Sequence, residues 1–291
     1  MARKQLQPSQ QNTLLKISLE NTGEDTRKAY KTNTINNNMS FTIKKLGNPK
    51  LKNPILIEGL PGMGNVGKIA VDFMIDNLKA KKMLEIKSHH FPNSVFVNEK
   101  NLVELPKIEM YYKNIKDKSI IFLAGDVQPT NEKSCYAFCE EILNVVEKLN
   151  TKEIITLGGI GLPEDPQKPT VYTTGNNKKI IDKYKAKQIS TNLYGFVGPI
   201  IGVSGVLLGL SSERKIPAIS FLAETFGHPN HLGVKGAREI LNVLNKNLKL
   251  NMNLKDLDNE IKELDEEGID ESELFQNLKV KFQKRDTNYI G

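Results

Sequence analysis

Residues 55–79 read ILIEGLPGMGNVGKIAVDFMIDNLK, and this stretch decides the fold class. Its first three residues, Ile55 to Ile57, form a short apolar run that is typical of a buried β-strand. A glycine-rich loop from Gly59 to Gly67 follows the strand. Apolar residues then recur at positions 66, 69, 70, 73, 74 and 78, which is the spacing of one face of an α-helix. A buried strand, a tight turn and an amphipathic helix together indicate an α/β architecture.

The alternation of strands and helices continues along the chain. The region 94–113 alternates polar and apolar residues in the way that predicts a hairpin or meander. The sequence therefore predicts an α/β fold with a largely parallel sheet between two helical layers, a three-layer α/β/α sandwich, followed by C-terminal helices. The further predicted strands are 83–86, 119–124, 154–157, 170–174 and 218–222, and the further predicted helices are 131–149, 202–212 and 235–248.

Three regions of different composition divide the chain. Residues 1–38 are rich in Gln, Asn, Thr and Lys, which predicts a disordered extension and leaves the translation start open between Met1 and Met39. Residues 39–250 form the predicted α/β domain. Residues 251–291 form a predicted acidic helical tail with a flexible C-terminus. In this tail Leu254, Leu257, Ile261 and Leu264 follow a 3-4-3 spacing, which fits either packing on the chain's own domain or an oligomer contact.

Composition and charge exclude several classes of protein. No apolar run reaches the roughly 20 residues of a membrane span, and the N-terminus lacks a signal-peptide pattern, so we expect a cytoplasmic protein. Cys135 and Cys139 are expected to be reduced thiols. Residues 39–250 hold 29 Lys/Arg against 20 Asp/Glu, whereas residues 251–291 hold six against eleven. This asymmetry indicates acidic partner surfaces or contact between tail and body, and the lack of a basic and aromatic reading motif argues against nucleic acid as a partner.

The glycine-rich loop matches two ligand-binding patterns imperfectly. Residues Gly62 to Gly67 fit G-x-G-x-x-G between a strand and a helix, with Glu85 near the end of the second strand as a ribose-binding acid. The same loop followed by Lys68 fits G-x-x-x-x-G-K, but the next residue is Ile69 instead of a Ser or Thr that binds Mg²⁺. A structural turn or an interface and a nucleotide or phosphate site both remain open, the latter with Gly62, Gly64, Gly67 and Lys68 as ligand-loop residues.

Other polar residues offer weaker candidates for chemistry. Asp126 and Gln128 follow a buried strand and are expected at the sheet end that carries this loop, because α/β sheets build their sites at strand carboxyl ends. His228 and His231, with Glu224 nearby, lack an evident third metal ligand. Ser204 does not lie in a G-x-S-x-G elbow. We therefore expect no catalytic residue, no metal and no cofactor.

Six segments, taken in order, resemble the archaeal branch of the proteasome assembly chaperone family, the PAC2 family. The resemblance covers roughly residues 40–250, and the order and spacing of the segments make it specific. The segments are IEGLPGMGNVG (57–67), GDVQP (125–129), LGGIG (157–161), VYTT (171–174), GPIIGVSGVLL (198–208) and ETFG (224–227).

The resemblance implies an α/β/α sandwich that self-associates and binds α-type subunits of the 20S proteasome. It also implies a binding protein without established catalysis. The alternative is an ATP-dependent ligase-like enzyme that uses the loop from Gly62 to Lys68, because some relatives are linked to that chemistry.

The C-terminus matches the docking tail of some family members only in part. That tail ends in a hydrophobic residue, a Tyr and any last residue, whereas this chain ends in Asn288, Tyr289, Ile290 and Gly291. The Tyr is thus third from the end, which displaces the terminal carboxylate by about 3.5 Å. Either Tyr289, Ile290 and Gly291 bind the partner in an altered register, or the chain belongs to the branch without a docking tail.

Overall fold

The computed structural model describes residues 41–267 except 99, 187–188, 194, 196–197 and 230. Every described residue belongs to one compact unit of the chain. The described strands are β1 (Thr42–Lys45), β2 (Ile55–Glu58), β3 (Lys81–Lys87), β4 (Phe96–Val97), β5 (Val103–Glu104), β6 (Ile108–Ile115), β7 (Lys118–Gly125), β8 (Glu153–Leu162), β9 (Val171–Gly175), β10 (Ile189–Ser190) and β11 (Ala218–Phe226).

Most of the helices lie close to their predicted positions. A short 3₁₀ helix, Met63–Asn65, leads directly into the first α-helix. The α-helices are α1 (Val66–Asn77), α2 (Glu132–Lys148), α3 (Lys178–Tyr184), α4 (Val203–Glu213), α5 (Val234–Leu248) and α6 (Lys255–Glu267). Within the described part of the chain, no helix is both long and apolar enough to cross a bilayer.

Nine strands form one sheet in the order β1-β3-β6-β7-β2-β8-β11-β9-β10. The central strands β7, β2, β8 and β11 are parallel to one another. The flanks are mixed, because β6 pairs antiparallel with β7 and with β3, β1 pairs antiparallel with β3, and β9 pairs antiparallel with β11. The predicted α/β fold is confirmed, but the prediction of a largely parallel sheet holds only for its centre.

Two apolar cores lie on opposite faces of the sheet. On one face, α1, α3, α5 and α6 cover alternate residues of the central strands, such as Ile57, Phe122 and Phe221. On the other face, α2 and α4 cover the intervening residues, such as Leu56 and Leu123. Side chains alternate between faces along a strand, so the largely apolar central strands supply both cores. The result is the three-layer sandwich that the sequence predicts.

The first part of the acidic C-terminal region packs on the domain. In α6, Leu257 is fully buried in the same core as α5, and Leu254 and Ile261 pack against that core. Arg238 of α5 adds an ion pair to Asp258 at 2.9 Å. These contacts favour packing on the chain's own domain, the first of the two interpretations of the 3-4-3 spacing. The rest of the predicted tail lies outside the described residues.

Candidate functional site

The carboxyl ends of the parallel strands gather the loops that the sequence singles out. Residues 59–65 follow β2, residues 126–131 follow β7, residues 227–233 follow β11, and residues 198–202 precede α4, with residue 230 outside the described set. Because β7, β2, β8 and β11 are adjacent and parallel, their carboxyl ends lie at one edge of the sheet. We call this edge the carboxyl-end surface.

The glycine-rich loop lies directly on the strands beside it. Gly64 has a left-handed backbone, with φ of 57°, and its carbonyl accepts a hydrogen bond of 2.7 Å from the Gly233 amide. A Cβ at Gly64 would lie 2.7 Å from Thr225 Oγ1, and a Cβ at Gly67 would lie 2.4 Å from the Leu157 carbonyl oxygen. Gly64 and Gly67 therefore serve close packing within the chain, whereas no atom lies within 4 Å of a Cβ at Gly62.

Lys68, the candidate phosphate-binding lysine, is held between two carboxylates. Its Nζ lies 2.8 Å from Asp72 Oδ2 and 2.9 Å from Asp126 Oδ1, and the residue is only 9% exposed. Burial lowers the pKa of Lys68, but the charges of Asp72 and Asp126 together outweigh burial and raise the pKa above its ordinary value. A phosphate that approached this ammonium group would also meet two negative charges, so the geometry does not favour an anion site here.

Gln128 connects the glycine-rich loop to α4. Its Nε2 donates to the Pro61 carbonyl oxygen at 2.6 Å, and its Oε1 accepts from the Val203 amide at 3.2 Å. Gly202, with φ of 83°, lets the chain pass close to this side chain, since a Cβ there would lie 2.6 Å from Gln128 Oε1. The structure thus brings Asp126 and Gln128 to the loop as the sequence predicts, but their observed partners are groups of the chain itself.

Sequence reasoning missed Glu58, which is a central polar group of this region. Its carboxylate is fully buried, accepts from the Leu60 amide at 3.0 Å and accepts from Ser204 Oγ at 2.8 Å. Burial raises the pKa of Glu58 from 4.5 to about 7, although both hydrogen bonds act in the opposite direction. A charged residue directly after the apolar run 55–57 is the signal that could have identified it.

His228 and His231, in the loop that follows β11, contact other side chains of the chain. His228 stacks on Phe226 with ring centroids 5.6 Å apart, and His231 meets the edge of the same ring at 5.5 Å. Glu224 accepts from the Thr170 amide at 2.7 Å and from the Tyr172 hydroxyl at 3.1 Å. In the described part of the chain, no group of three or more His, Cys, Asp or Glu side chains has the arrangement of a metal site.

Two apolar side chains project from the otherwise self-contained loops. Met63, at the start of the 3₁₀ helix, is 46% exposed, and Ile201, before α4, is 84% exposed. The loops beneath them are fixed by Gln128 and by the buried Glu58–Ser204 contact. Exposed apolar groups on a rigid base are suited to contact with another protein. Tyr289, Ile290 and Gly291, the predicted partner-binding residues, lie outside the described residues.

Solved structures with the same fold include two from Pyrococcus furiosus. The crystal structure of PbaB, described as an archaeal proteasome activator, matches with a TM-score of 0.73 and 33% identity, covering 78% of this chain and 96% of PbaB. The crystal structure of PbaA, described as an archaeal homologue of proteasome-assembly chaperone, matches with a TM-score of 0.65 and 25% identity, covering 85% of this chain and 99% of PbaA.

Sequence comparisons agree with the structural ones. An uncharacterized protein of Methanocaldococcus jannaschii is 28% identical over 250 residues, which cover 83% of this chain and 93% of that protein. The sequence profile of the PAC2 family matches residues 56–272, a range that contains the glycine-rich loop, Asp126, Gln128 and α4. The chain therefore belongs to the PAC2 family.

Proposed function

We propose that this chain is a non-catalytic, chaperone-like protein of the cytoplasm that self-associates and binds α-type subunits of the 20S proteasome. The proposal rests on how the side chains of the carboxyl-end surface are packed, paired and exposed. Its glycine-rich loop is packed on the sheet, its lysine is paired with Asp72 and Asp126, and it exposes Met63 and Ile201. This combination suits a protein partner better than a small anionic ligand.

The similar structures indicate which partner to test. PbaB is described as a proteasome activator and PbaA as a homologue of a proteasome-assembly chaperone, so both descriptions concern the proteasome. An activator acts on the assembled particle, whereas an assembly chaperone binds subunits before assembly is complete. Free α-subunits and intact 20S particles are therefore separate baits in the same experiment.

Two parts of the chain are proposed to contact the α-subunits. The C-terminal residues Tyr289, Ile290 and Gly291 supply a recognition tail of the kind that binds in a pocket through its terminal carboxylate. The carboxyl-end surface supplies a second, preformed contact through Met63 and Ile201. Linking two weak contacts in one chain raises the apparent affinity, since the second contact forms within an existing complex.

Capture of proteasome components tests whether both proposed contacts, the C-terminal residues and the carboxyl-end surface, take part in binding. We expect the full-length protein to bind free α-subunits or intact 20S particles, and we expect at least a tenfold loss of affinity on deletion of residues 289–291, because the tail contact is removed. Ile201→Asp should weaken binding independently of the deletion. Biolayer interferometry with both baits measures these affinities.

The outcomes of the capture experiment separate the possibilities. Binding that survives the deletion but is lost in Ile201→Asp assigns the contact to the folded domain alone. Preference for free α-subunits supports an assembly role, and preference for intact particles supports an activating role. Failure of the full-length protein to bind either bait would overturn the proposed function.

A titration with ATP tests the enzymatic alternative. We expect no saturable binding at millimolar ATP, with or without Mg²⁺, because Lys68 is already neutralised by Asp72 and Asp126. Isothermal titration calorimetry measures the heat of binding, and injection into buffer gives the background. Saturable binding that disappears in Lys68→Met would establish a nucleotide site and contradict the non-catalytic assignment.

A further inference from the structure

The amino ends of the central strands form the sheet edge opposite the carboxyl-end surface. Helices α1, α2 and α4 lead back to this edge, because each ends just before a strand that begins there. We call this edge the amino-end surface. It consists of five chain segments, which are residues 50–54 before β2, 116–118 between β6 and β7, 149–152 before β8, 176–179 after β9 and 213–217 before β11.

Hydrogen bonds hold these five segments in the order of the strands. The Ser119 amide donates to the Lys52 carbonyl oxygen at 2.7 Å, and the Lys152 amide donates to the Pro54 carbonyl oxygen at 2.8 Å. The side chain of Asn176 bonds the start of β11 and the loop before it, at 3.0 and 2.7 Å. Because neighbouring strands lie about 4.8 Å apart, the five segments form a fixed row roughly 20 Å long.

Lysine dominates the amino-end surface. The five segments hold eight lysines and only two acids, Asp117 and Glu213, and seven of the eight lysines are exposed. Among the residues that the structure describes, none of these lysines forms an ion pair. Their positive charge therefore has no direct partner in the described chain. In strand order from β7 to β9 they are Lys116, Lys118, Lys50, Lys52, Lys152, Lys215, Lys178 and Lys179.

A pocket of about 380 Å³ opens at the β9 end of the row. Ile180 and Pro217 give it apolar walls, and Lys179 and Lys183 give it positive charge. Glu153 also lines the pocket, but it is only 4% exposed and is paired with Lys183. The ammonium group of Lys179 has no such partner, so the pocket suits an aliphatic side chain that neighbours a carboxylate.

We infer that the amino-end surface binds an acidic protein segment, an extended chain rich in Asp and Glu with an aliphatic residue at one end of the contact. Side chains on one face of an extended chain recur about every 7 Å, so a segment of roughly seven residues spans the row. The inference goes beyond the proposed function, because this surface lies about 25 Å, the length of β7, from the carboxyl-end surface. An acidic partner therefore binds without displacing the α-subunits.

Nucleic acid is the competing polyanion, and the five segments lack the contacts that favour it. They contain no aromatic residue on which a base stacks. Their one arginine, Arg214, is suited to bidentate binding of phosphate, but it is already paired with Glu140 and Glu147. Lysine is a compact point charge that does not require the planar geometry of such a pair. Charge without stacking or bidentate groups, next to a pocket with aliphatic walls, favours an acidic protein.

Fluorescence anisotropy with a labelled acidic peptide tests the inference. The probe is an oligopeptide of glutamate with one leucine, and the buffer has low ionic strength because salt screens exposed charges. We expect the full-length protein to bind this probe. The variant Lys52→Glu/Lys152→Glu/Lys215→Glu should bind it about tenfold more weakly, because three attractive contacts become repulsive.

Lys44→Glu/Lys100→Glu/Lys168→Glu is the matched control, because it changes the net charge equally at exposed lysines outside the five segments. Its affinity for the probe should stay within about twofold of the wild type. Equal losses in the two variants would show a response to net charge alone and overturn the inference, as would a wild type that does not bind the probe. Tighter binding of a single-stranded oligonucleotide or of phosphatidylserine vesicles at the same lysines would also overturn it. Circular dichroism checks that each variant is folded.

Carbodiimide cross-linking of the wild type to the probe gives a second measurement that needs no variant. The reagent joins carboxylates to amines that are in contact, and we expect mass spectrometry to find the links at lysines of the five segments. Links confined to other lysines would contradict the inference. Deletion of residues 289–291 and Ile201→Asp should leave the affinity for the probe unchanged, so this result is separate from the capture of α-subunits. A loss of probe binding in either variant would place the contact elsewhere and overturn the inference.

Discussion

Replacing Gly67 with alanine is expected to destabilise the folded protein by about 3 kcal/mol, the upper part of the range for overpacked cores. The added Cβ would lie 2.4 Å from the Leu157 carbonyl oxygen and 2.9 Å from its carbonyl carbon. Leu157 lies in β8, which is hydrogen-bonded between β2 and β11 at the centre of the sheet. The strand cannot withdraw without breaking these ladders, so α1 must move instead. Urea unfolding measures the change.

Gly62→Ala is the matched control within the same loop. No atom lies within 4 Å of the added Cβ, and the backbone at Gly62 is extended, with φ of −160°. We expect its free energy of unfolding to stay within about 0.5 kcal/mol of the wild type. If both variants lose a similar amount of free energy of unfolding, helix–strand packing at Gly67 does not explain the loss. A loss in Gly62→Ala alone would point to a function for the open glycine.

The contrast between these glycines shows what a motif can and cannot predict. The sequence places Gly67 at the position of G-x-G-x-x-G where a helix approaches a strand closely, and the structure has that contact. The motif does not determine whether the loop is open to a ligand. That depends on Thr225 and Gly233, which come from distant parts of the chain and lie against Gly64.

Periodicity predicted the central elements well and the sheet less well. The helices α1, α2, α4 and α5 and the four central strands lie within a few residues of their predicted bounds, because their apolar patterns are long or strongly periodic. Strand direction is a tertiary property. The link from β6 to β7 is only two residues, 116–117, so these strands must be antiparallel. The strands β1 and β10 and the helix α3 were not predicted, because they are short and carry few apolar residues.

The sequence predicted where the candidate site lies in the fold. It did not predict which side chains of the site bind one another. Asp126 and Gln128 lie beside the glycine-rich loop because strand carboxyl ends share one edge of the sheet. Asp72, four residues after Lys68 on the same helix face, is a partner that helical spacing could have predicted. The contact between Glu58 and Ser204 spans 146 residues, and no local pattern indicates it.

Glu58 is expected to make the protein less stable as the pH rises from about 4.5 to about 7. The folded protein retains the proton up to a pKa of about 7, whereas the unfolded chain releases it near 4.5. Between these values the unfolded state binds fewer protons, so the free energy of unfolding falls as the pH rises. The difference between the two pKa values corresponds to about 3 kcal/mol over the full window. Urea unfolding from pH 5 to pH 8 covers most of it.

Glu58→Gln isolates this contribution, since other groups also titrate over the same range. The amide has the shape of the carboxyl group and carries no charge, and its oxygen can still accept from the Leu60 amide while its NH₂ group donates to Ser204 Oγ. The variant should therefore gain stability relative to the wild type as the pH rises. Equal pH dependence in the two proteins would contradict the assignment. Ser204→Ala gives an independent check. It removes a hydrogen bond that lowers the pKa of Glu58, so in this variant the loss of stability should extend to a higher pH than in the wild type.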